Sequence, residues 1–228
     1  MISDMTWTEL GSPAPREQPF NYQPVNWPAG EPFFLTPPPE NEVLPAFSDV
    51  INGRRTRRFF SQVNPGQLSQ WLWLTNRVMA IGHSYYGFPL SQRPVPSAGA
   101  IHPIHIVLSL PNQDGWQLYL PDMHALKPLL TPEQTRSEIR DELSSVIDIQ
   151  SGIAIRLIAE PGKMSAKYLQ ADSLIWRDAG VLIAQMALVA EALACNFCPM
   201  GITGHDWCTR LKLEGRLMGA GLAVLGSR

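Results

Sequence analysis

Apolar positions along the chain fall into two rhythms, separated by breaks rich in proline and glycine. The stretch EVLPAFSDVINGRR, 42–55, repeats its apolar residues at helical spacing and predicts a helix ending near Gly53. Pro65-Gly66 opens a second helix through QLSQWLWLTNRVMAIG, with Gly82 as its stop. Ile104, Ile106, Leu108 and Leu110 alternate with smaller or polar partners, so 103–110 predicts a half-buried strand, and WQLYL, 116–120, predicts another. Thr131-Pro132-Glu133-Gln134 has the form of a capping box with proline at the first helical position, and predicts a helix over 132–147. SGIAIRLIAE, 151–160, is apolar without alternation and predicts a central strand. Helices at about 163–172 and 174–195 follow, then a glycine-rich loop, a short polar helix through WCTRLKLEGRL and a closing strand, GLAVLGS. Helices interleave with a few strands and no internal repeat is present, which predicts α+β or α/β.

Residues 1–45 are different material. They hold ten of the 21 prolines, including Pro37-Pro38-Pro39, and predict an extended arm before a globular domain at 46–228. Trp7, Phe20, Tyr22, Trp27, Phe33 and Phe34 give the arm apolar anchors that a disordered tail lacks, so it is expected to wrap its own domain or a neighbour.

Composition narrows the function classes. A net charge of −2 with 45% hydrophobic residues is ordinary for a globular protein and gives no footprint for nucleic acid. The N-terminus has no charged and apolar run of a signal peptide, and three cysteines make no disulfide framework, so the cytoplasm is expected. Leu174 to Cys195 is long enough to span a bilayer, but Arg177, Asp178, Gln185 and Glu191 are costly there. The segment reads as a helix in a core or subunit interface, and no membrane partner is expected.

Four clusters carry candidate chemistry. Arg54, Arg55, Arg57 and Arg58 fall within five positions around Thr56, after a stretch holding seven acidic residues and one basic. Guanidinium groups bind phosphate through paired charge-assisted hydrogen bonds, although a solvated basic turn or a partner patch reads the same way. Pro96-Ser97-Ala98-Gly99-Ala100 has almost no side-chain bulk before a strand. It is either a loop fitted beneath a helix or a cradle for a flat ligand, with Ser97 and backbone N–H groups facing it. Cys195, Cys198, His205 and Cys208 have the ligand types of a zinc site but an unfamiliar spacing, and no metal is expected. Lys167-Tyr168 is either a surface pair or a proton-transfer pair.

Taken in order, Arg-Arg-Thr-x-Arg, Pro-Ser-Ala-Gly-Ala-x-His-Pro, Lys-Tyr, Asp-Ala-Gly, Cys-Pro-Met-Gly and a terminal Gly-x-Arg resemble the FMN-dependent nitroreductase superfamily. Within it they are similar to the SagB-type branch, which includes the azoline dehydrogenases of thiazole/oxazole-modified peptides. The resemblance covers about 45–228. It implies an α+β, nitroreductase-like fold, a small mainly antiparallel sheet surrounded by helices, in an intertwined homodimer with FMN at the interface. It implies that Arg54, Arg55, Thr56 and Arg58 hold the flavin phosphate and ribityl chain, with Arg57 pointing away and Arg228 as a C-terminal phosphate ligand. Pro96, Ser97, Ala98 and Ala100 would lie against the isoalloxazine, and Pro199, Met200 and Gly201 would bring a backbone N–H to flavin N5. Lys167-Tyr168 matches the pair that removes a proton in azoline dehydrogenases. The chain departs from the pattern at Ala100, where many relatives have asparagine, at Ala194, where they have glycine, and after Lys-Tyr, where an arginine is usual.

The function so implied is an FMN oxidoreductase with hydride transfer between substrate and flavin N5, acting on an azoline in a modified peptide or another small molecule. The alternatives are an NAD(P)H-dependent nitro or quinone reductase, and a non-catalytic dimeric scaffold that partners a modification enzyme through its arm.

Overall fold

The computed structural model describes residues 8–111, 113–133, 135, 142–149, 151–213 and 215–228. In chain order its elements begin with β1 (Ala14–Pro15), β2 (Phe33–Phe34), α1 (Phe47–Gly53), α2 (Pro65–Asn76), β3 (Ala80–Gly82) and β4 (Leu90–Gln92). A 3-10 turn at Ala98–Ala100 precedes β5 (Ile104–Ser109), β6 (Gln117–Leu120), β7 (Ala125–Pro128) and β8 (Ile153–Ala159). Then come α3 (Pro161–Lys167), β9 (Tyr168–Leu169), α4 (Asp172–Ala192), β10 (Cys195–Pro199), α5 (His205–Arg210) and β11 (Met218–Ser227).

Seven strands form one sheet in the order β10-β11-β8-β5-β6-β7-β2, with every neighbouring pair antiparallel. β3 and β4 make a separate hairpin, and β1 pairs with β9. The class is α+β. β8 is apolar but for Arg156 because both its faces are covered. Ile153, Ile155, Leu157 and Ala159 join the core beneath α2 and α4, while Ala154 and Ile158 join a second core on the opposite face with Trp207 of α5. Arg156 also takes the second face. It lies 5.2 and 5.1 Å from the rings of Trp116 and Trp207 and bonds Glu142 at 2.7 Å.

α2 starts where the sequence places it. Asn64 accepts from the Gln67 N–H at 2.8 Å, the Gln67 side chain answers the Asn64 N–H, and Pro65 opens the first turn. The helix ends at Asn76, well before Gly82. Val78 N–H finds Pro121 O and Met79 N–H finds Gln92 O, and these cross-chain partners draw 80–82 into β3. The long helix likewise stops at Ala192, Ala194 turns left-handed at φ 54°, and Cys195–Pro199 becomes a sheet strand in place of the helix end and loop. Of the helix expected over 132–147, residues 134 and 136–141 lie outside the described residues, and helix is present at 133, 135 and 142–144.

α4 is long and apolar enough to cross a membrane, and here it packs in the core through Ile175, Leu182 and Met186. Trp71 Nε1 donates to Met186 O at 3.1 Å and Gln185 Nε2 to Leu74 O at 3.4 Å, which ties α4 to α2.

The proline-rich segment runs along the domain of its own chain. β1 pairs with β9, β2 extends the main sheet beyond β7, and Leu130 N–H reaches Pro28 O at 2.7 Å. Its firmest attachment is the buried Glu160 carboxylate, which accepts from Tyr22 OH at 2.9 Å and Val25 N–H at 2.6 Å. His105 Nε2 at 2.8 Å and Lys163 Nζ at 3.4 Å complete its shell. Burial alone would raise this carboxyl. The His105 hydrogen bond, the Lys163 ammonium and the Val25 N–H outweigh burial and hold it down to about 2.

Candidate active site

α4 organises the candidate residues into two groups. Near its start, Asp178 accepts from Ser97 Oγ at 2.5 Å and from the Ala98 N–H at 3.2 Å. At its end, Glu191 binds Arg57 at 2.5 Å and Arg228 at 2.6 Å. Thirteen residues of helix separate the two carboxylates, roughly 20 Å at 1.5 Å per residue.

The first group is the small-residue turn with Lys167 and Tyr168 above it. Gly99 is left-handed at φ 64°, and an added Cβ there would lie 2.7 Å from Lys167 Nζ and 2.8 Å from Tyr168 OH. The smallness of this position is therefore explained by the lysine–tyrosine pair closing over it. Both side chains are half-buried, and among the described residues Lys167 has no ion-pair partner. Its ammonium lies 5.3 Å from the Tyr168 ring and 5.8 Å from that of Tyr86. Ser97 differs from its expected role. Its hydroxyl donates to Asp178 and accepts from the His102 N–H at 2.9 Å, so it holds the turn together. The Ala98 N–H is taken by Asp178 and the Ala100 N–H by Ser97 O, which leaves the turn a steric platform more than a set of donors. Burial raises the Asp178 carboxyl, and the Ser97 and Ala98 donors oppose that rise. Pro96, Ser97 and Ala100 line an open groove of about 440 Å³ alongside the β3–β4 hairpin.

The second group gathers where β11 ends. Ser61 and Ser227 exchange backbone hydrogen bonds at 3.1 and 2.9 Å, which sets Arg228 beside the arginine run. Arg57 turns inward to Glu191, and Arg228 shares that carboxylate. Arg54 is half-buried, while Arg55, Thr56 and Arg58 are exposed. Among the described residues, none of Arg54, Arg55 and Arg58 meets a carboxylate, and Arg55 bonds only the carbonyls of Asn52 and Arg54. Three unpaired guanidinium groups beside a threonine hydroxyl are a donor set that suits a phosphate. β10 carries the third motif. Pro199 has no N–H and the Met200 N–H is bonded to Leu222 O at 2.8 Å, so of the three only the Gly201 N–H has no acceptor among the described residues.

The cysteines do not converge. Cys195 and Cys198, three apart on a strand, point to opposite faces and belong to different cores. Burial pushes the thiols up, that of Cys195 to about 11 and that of Cys208 to about 12. No three or more His, Cys, Asp or Glu among the described residues gather where they could hold a metal ion.

Sequence reasoning gave no role to Asp178 or Glu191, which position the two groups. Asp178 stood inside the Asp-Ala-Gly motif, and its place on the buried stripe of an apolar helix was the available sign that it bonds something internal.

No protein-family model matches the chain, and no curated protein matches it in sequence. Solved structures do. A protein from Ralstonia eutropha JMP134 assigned as a nitroreductase superposes with a TM-score of 0.66 at 17% identity, over 92% of this chain and 97% of its own. A chain of the E. coli microcin synthetase complex McbBCD, solved with truncated pro-MccB17 bound, gives 0.57 at 19% identity, over 84% and 76%. The chain has the nitroreductase fold. A Staphylococcus epidermidis protein assigned as an NAD(P)H:FMN oxidoreductase shares that fold with a TM-score of 0.53 at 8% identity, over 80% of this chain and 87% of its own. The nitroreductase fold here brings Lys167-Tyr168 onto Gly99 and gathers the arginine run beside Arg228, two unions of residues far apart in sequence.

Proposed function

We propose that this chain is an FMN-dependent oxidoreductase whose site is completed by a second copy of itself. The observation that carries the reading is the pair of groups at the two ends of α4: unpaired arginines suited to a phosphate, and a bulk-free turn overhung by a lysine and a tyrosine. FMN would take hydride at N5 from a substrate and pass the electrons on to an acceptor. Arg54, Arg55, Thr56 and Arg58 would hold its phosphate and ribityl chain, and the Gly201 N–H would face N5. A five-carbon chain of bonds near 1.5 Å spans at most about 8 Å and the fused rings add about as much again, still short of the roughly 20 Å between the two groups of one chain. The turn of Pro96, Ser97, Ala98 and Ala100 therefore serves the flavin of the partner copy. In this arrangement Asp178 fixes the turn, and Lys167 Nζ, with Tyr168 OH beside it, would take a proton from the substrate when it is the free amine.

The proton-accepting pair over the turn favours a dehydrogenase of azolines in a modified peptide, in keeping with the fold shared with a microcin synthetase chain. The visible spectrum of the purified protein tests the cofactor. A flavin band is expected, and the double variant Arg54→Ala/Arg58→Ala is expected to lose at least about nine-tenths of it, since each charge-assisted contact contributes roughly 1.5–3 kcal/mol. A colourless protein that takes up no added FMN rules the reading out. In an anaerobic titration, rapid bleaching by NAD(P)H would instead support a nitro or quinone reductase.

A further inference from the structure

Behind the candidate site lies a partly open cavity of about 270 Å³, bordered by the proline-rich segment, the β3–β4 hairpin and a face of β5 and β6. Trp27, Phe88, Ile81, Ile106 and Leu118 give it apolar walls, and Arg93 is set among them. The Arg93 guanidinium bonds only neutral groups, Ser91 Oγ through Nε at 2.9 Å and Asn76 Oδ1 through Nη1 at 3.3 Å. No carboxylate of the described residues lies within ion-pairing distance of it. The other cation of the wall, Lys163, is held by Glu160, whose oxygens are already shared with His105, Tyr22 and the Val25 N–H. Asp122, on the exposed side of the wall, influences Arg93 only across a gap, and burial still pulls that guanidinium down to about 10. A second donor of the wall is also unsatisfied: Trp27 Nε1 is buried with no acceptor among the described residues.

A half-buried guanidinium without a counter-ion carries a desolvation cost, and a ligand carboxylate is the group that lowers it. One free guanidinium suits a monoanion better than a doubly charged phosphate. Size sets the rest of the molecule. A dry cavity of about 150 Å³ holds a benzene ring, so this one has room for a ring and its carboxylate. Arg93 also lines the open groove along Pro96, Ser97 and Ala100, which offers a way in.

We propose that this cavity is a binding site for a small monocarboxylate with a compact apolar body, its carboxylate paired with Arg93. The inference goes beyond the flavin reading and does not need it. Isothermal titration of the full-length protein as purified, with benzoate and benzamide as probes, tests it. Benzoate is expected to bind one to one with a Kd below about 1 mM, and the neutral benzamide at least about ten-fold more weakly. Arg93→Met is expected to weaken benzoate by about ten-fold or more. Asp122→Asn, a surface change that removes the opposing charge, is expected to tighten it about two-fold. Equal binding of the two probes, or no benzoate binding up to about 1 mM, overturns the proposal even if Arg93→Met fails to fold. Weaker benzoate binding in Asp122→Asn overturns it as well.

Discussion

At the scale of single residues, two departures from the family pattern turn out to be backbone positions. Ala100 has φ 57° and Ala194 φ 54°, both in the left-handed region where a Cβ is strained and where glycine or asparagine is favoured. An asparagine at 100 would relieve that strain whatever it did for a ligand, so the hydrogen bond missing at this position is only part of the difference. Ala194 is exposed, and no packing is lost on removing its methyl. The left-handed conformation costs alanine roughly 1–2 kcal/mol, and the chain entropy of glycine takes back about 0.5–1. Ala194→Gly is therefore expected to stabilise the protein by about 0.5–1 kcal/mol, a rise of roughly 2–3 °C in Tm by calorimetry. A lower Tm would mean that the neighbouring strand depends on the alanine. Arg93 is the residue-scale lesson of the opposite kind. A lone arginine before a proline has no periodicity or motif to mark it, and its isolation from carboxylates exists only after folding.

At the scale of elements, what could be read from the chain followed how each element is held. β8 was legible because burial on both faces leaves an apolar run broken only by Arg156, and the start of α2 because its capping box is local. β2, β3 and β7 were not, since short segments are made strands by the partner they pair with. Lys167-Tyr168 was legible as a pair, but not its station over Gly99, which depends on α3 ending against a turn about 70 residues earlier. The strap formed by the proline-rich segment has its own consequence. It closes over histidines that burial keeps neutral: His102 is pushed down to about 3, with Arg93 and Lys163 adding to the effect, and His105 is lowered by burial and Lys163 against the opposing pull of Glu160. His124, bonded to Ser69 and Tyr119 beneath Thr36 of the strap, is pushed down to about 4 by burial, with Arg77 adding to it. A folded-state pKa below the unfolded value of about 6.5 gives stability that is present above pH 6.5 and is lost as pH falls, because only the unfolded chain takes up the protons. Each such histidine can contribute up to about 1.4 kcal/mol per pH unit. Glu160 adds nothing until pH falls below about 4.5, its unfolded value, toward its folded value of about 2. Tm is thus expected to be at least about 5 °C lower at pH 5 than at pH 7. His124→Asn, which suits the left-handed φ of 46° there, is expected to flatten that fall. Equal Tm at the two pH values would show that these rings protonate in place.

At the scale of the whole molecule, the outward stripe of α4 is a mainly small and apolar surface. Trp176, Gly180, Val181 and Ala184 lie on it with Arg177 and, at the helix start, Asp172 as its exposed charges. Gly180 has no atom within 4 Å of where a Cβ would stand, so this side of the helix is open in the single chain. Exposed Phe47 and Ile51, one turn apart on α1, add to the apolar surface, and α1 packs on the same helix. A face of small and apolar residues admits a close helix–helix approach, and a partner seated there would meet α4 along the length that separates Asp178 from Glu191. On the proposed reading dimerisation and flavin retention would be one event, because the arginines of one copy and the turn of the other would meet only with the stripes buried together. Ala184→Glu puts a charge in the middle of the stripe without touching either group or the inner core. The expected result is a monomer by light scattering with an unchanged far-UV spectrum and at least about ten-fold weaker FMN binding, the loss that about 1.4 kcal/mol of contact would cause. A monomer that keeps its flavin at full strength would separate the two events and place the whole cofactor within one chain. An Ala184→Glu protein that still dimerises would move the interface off α4.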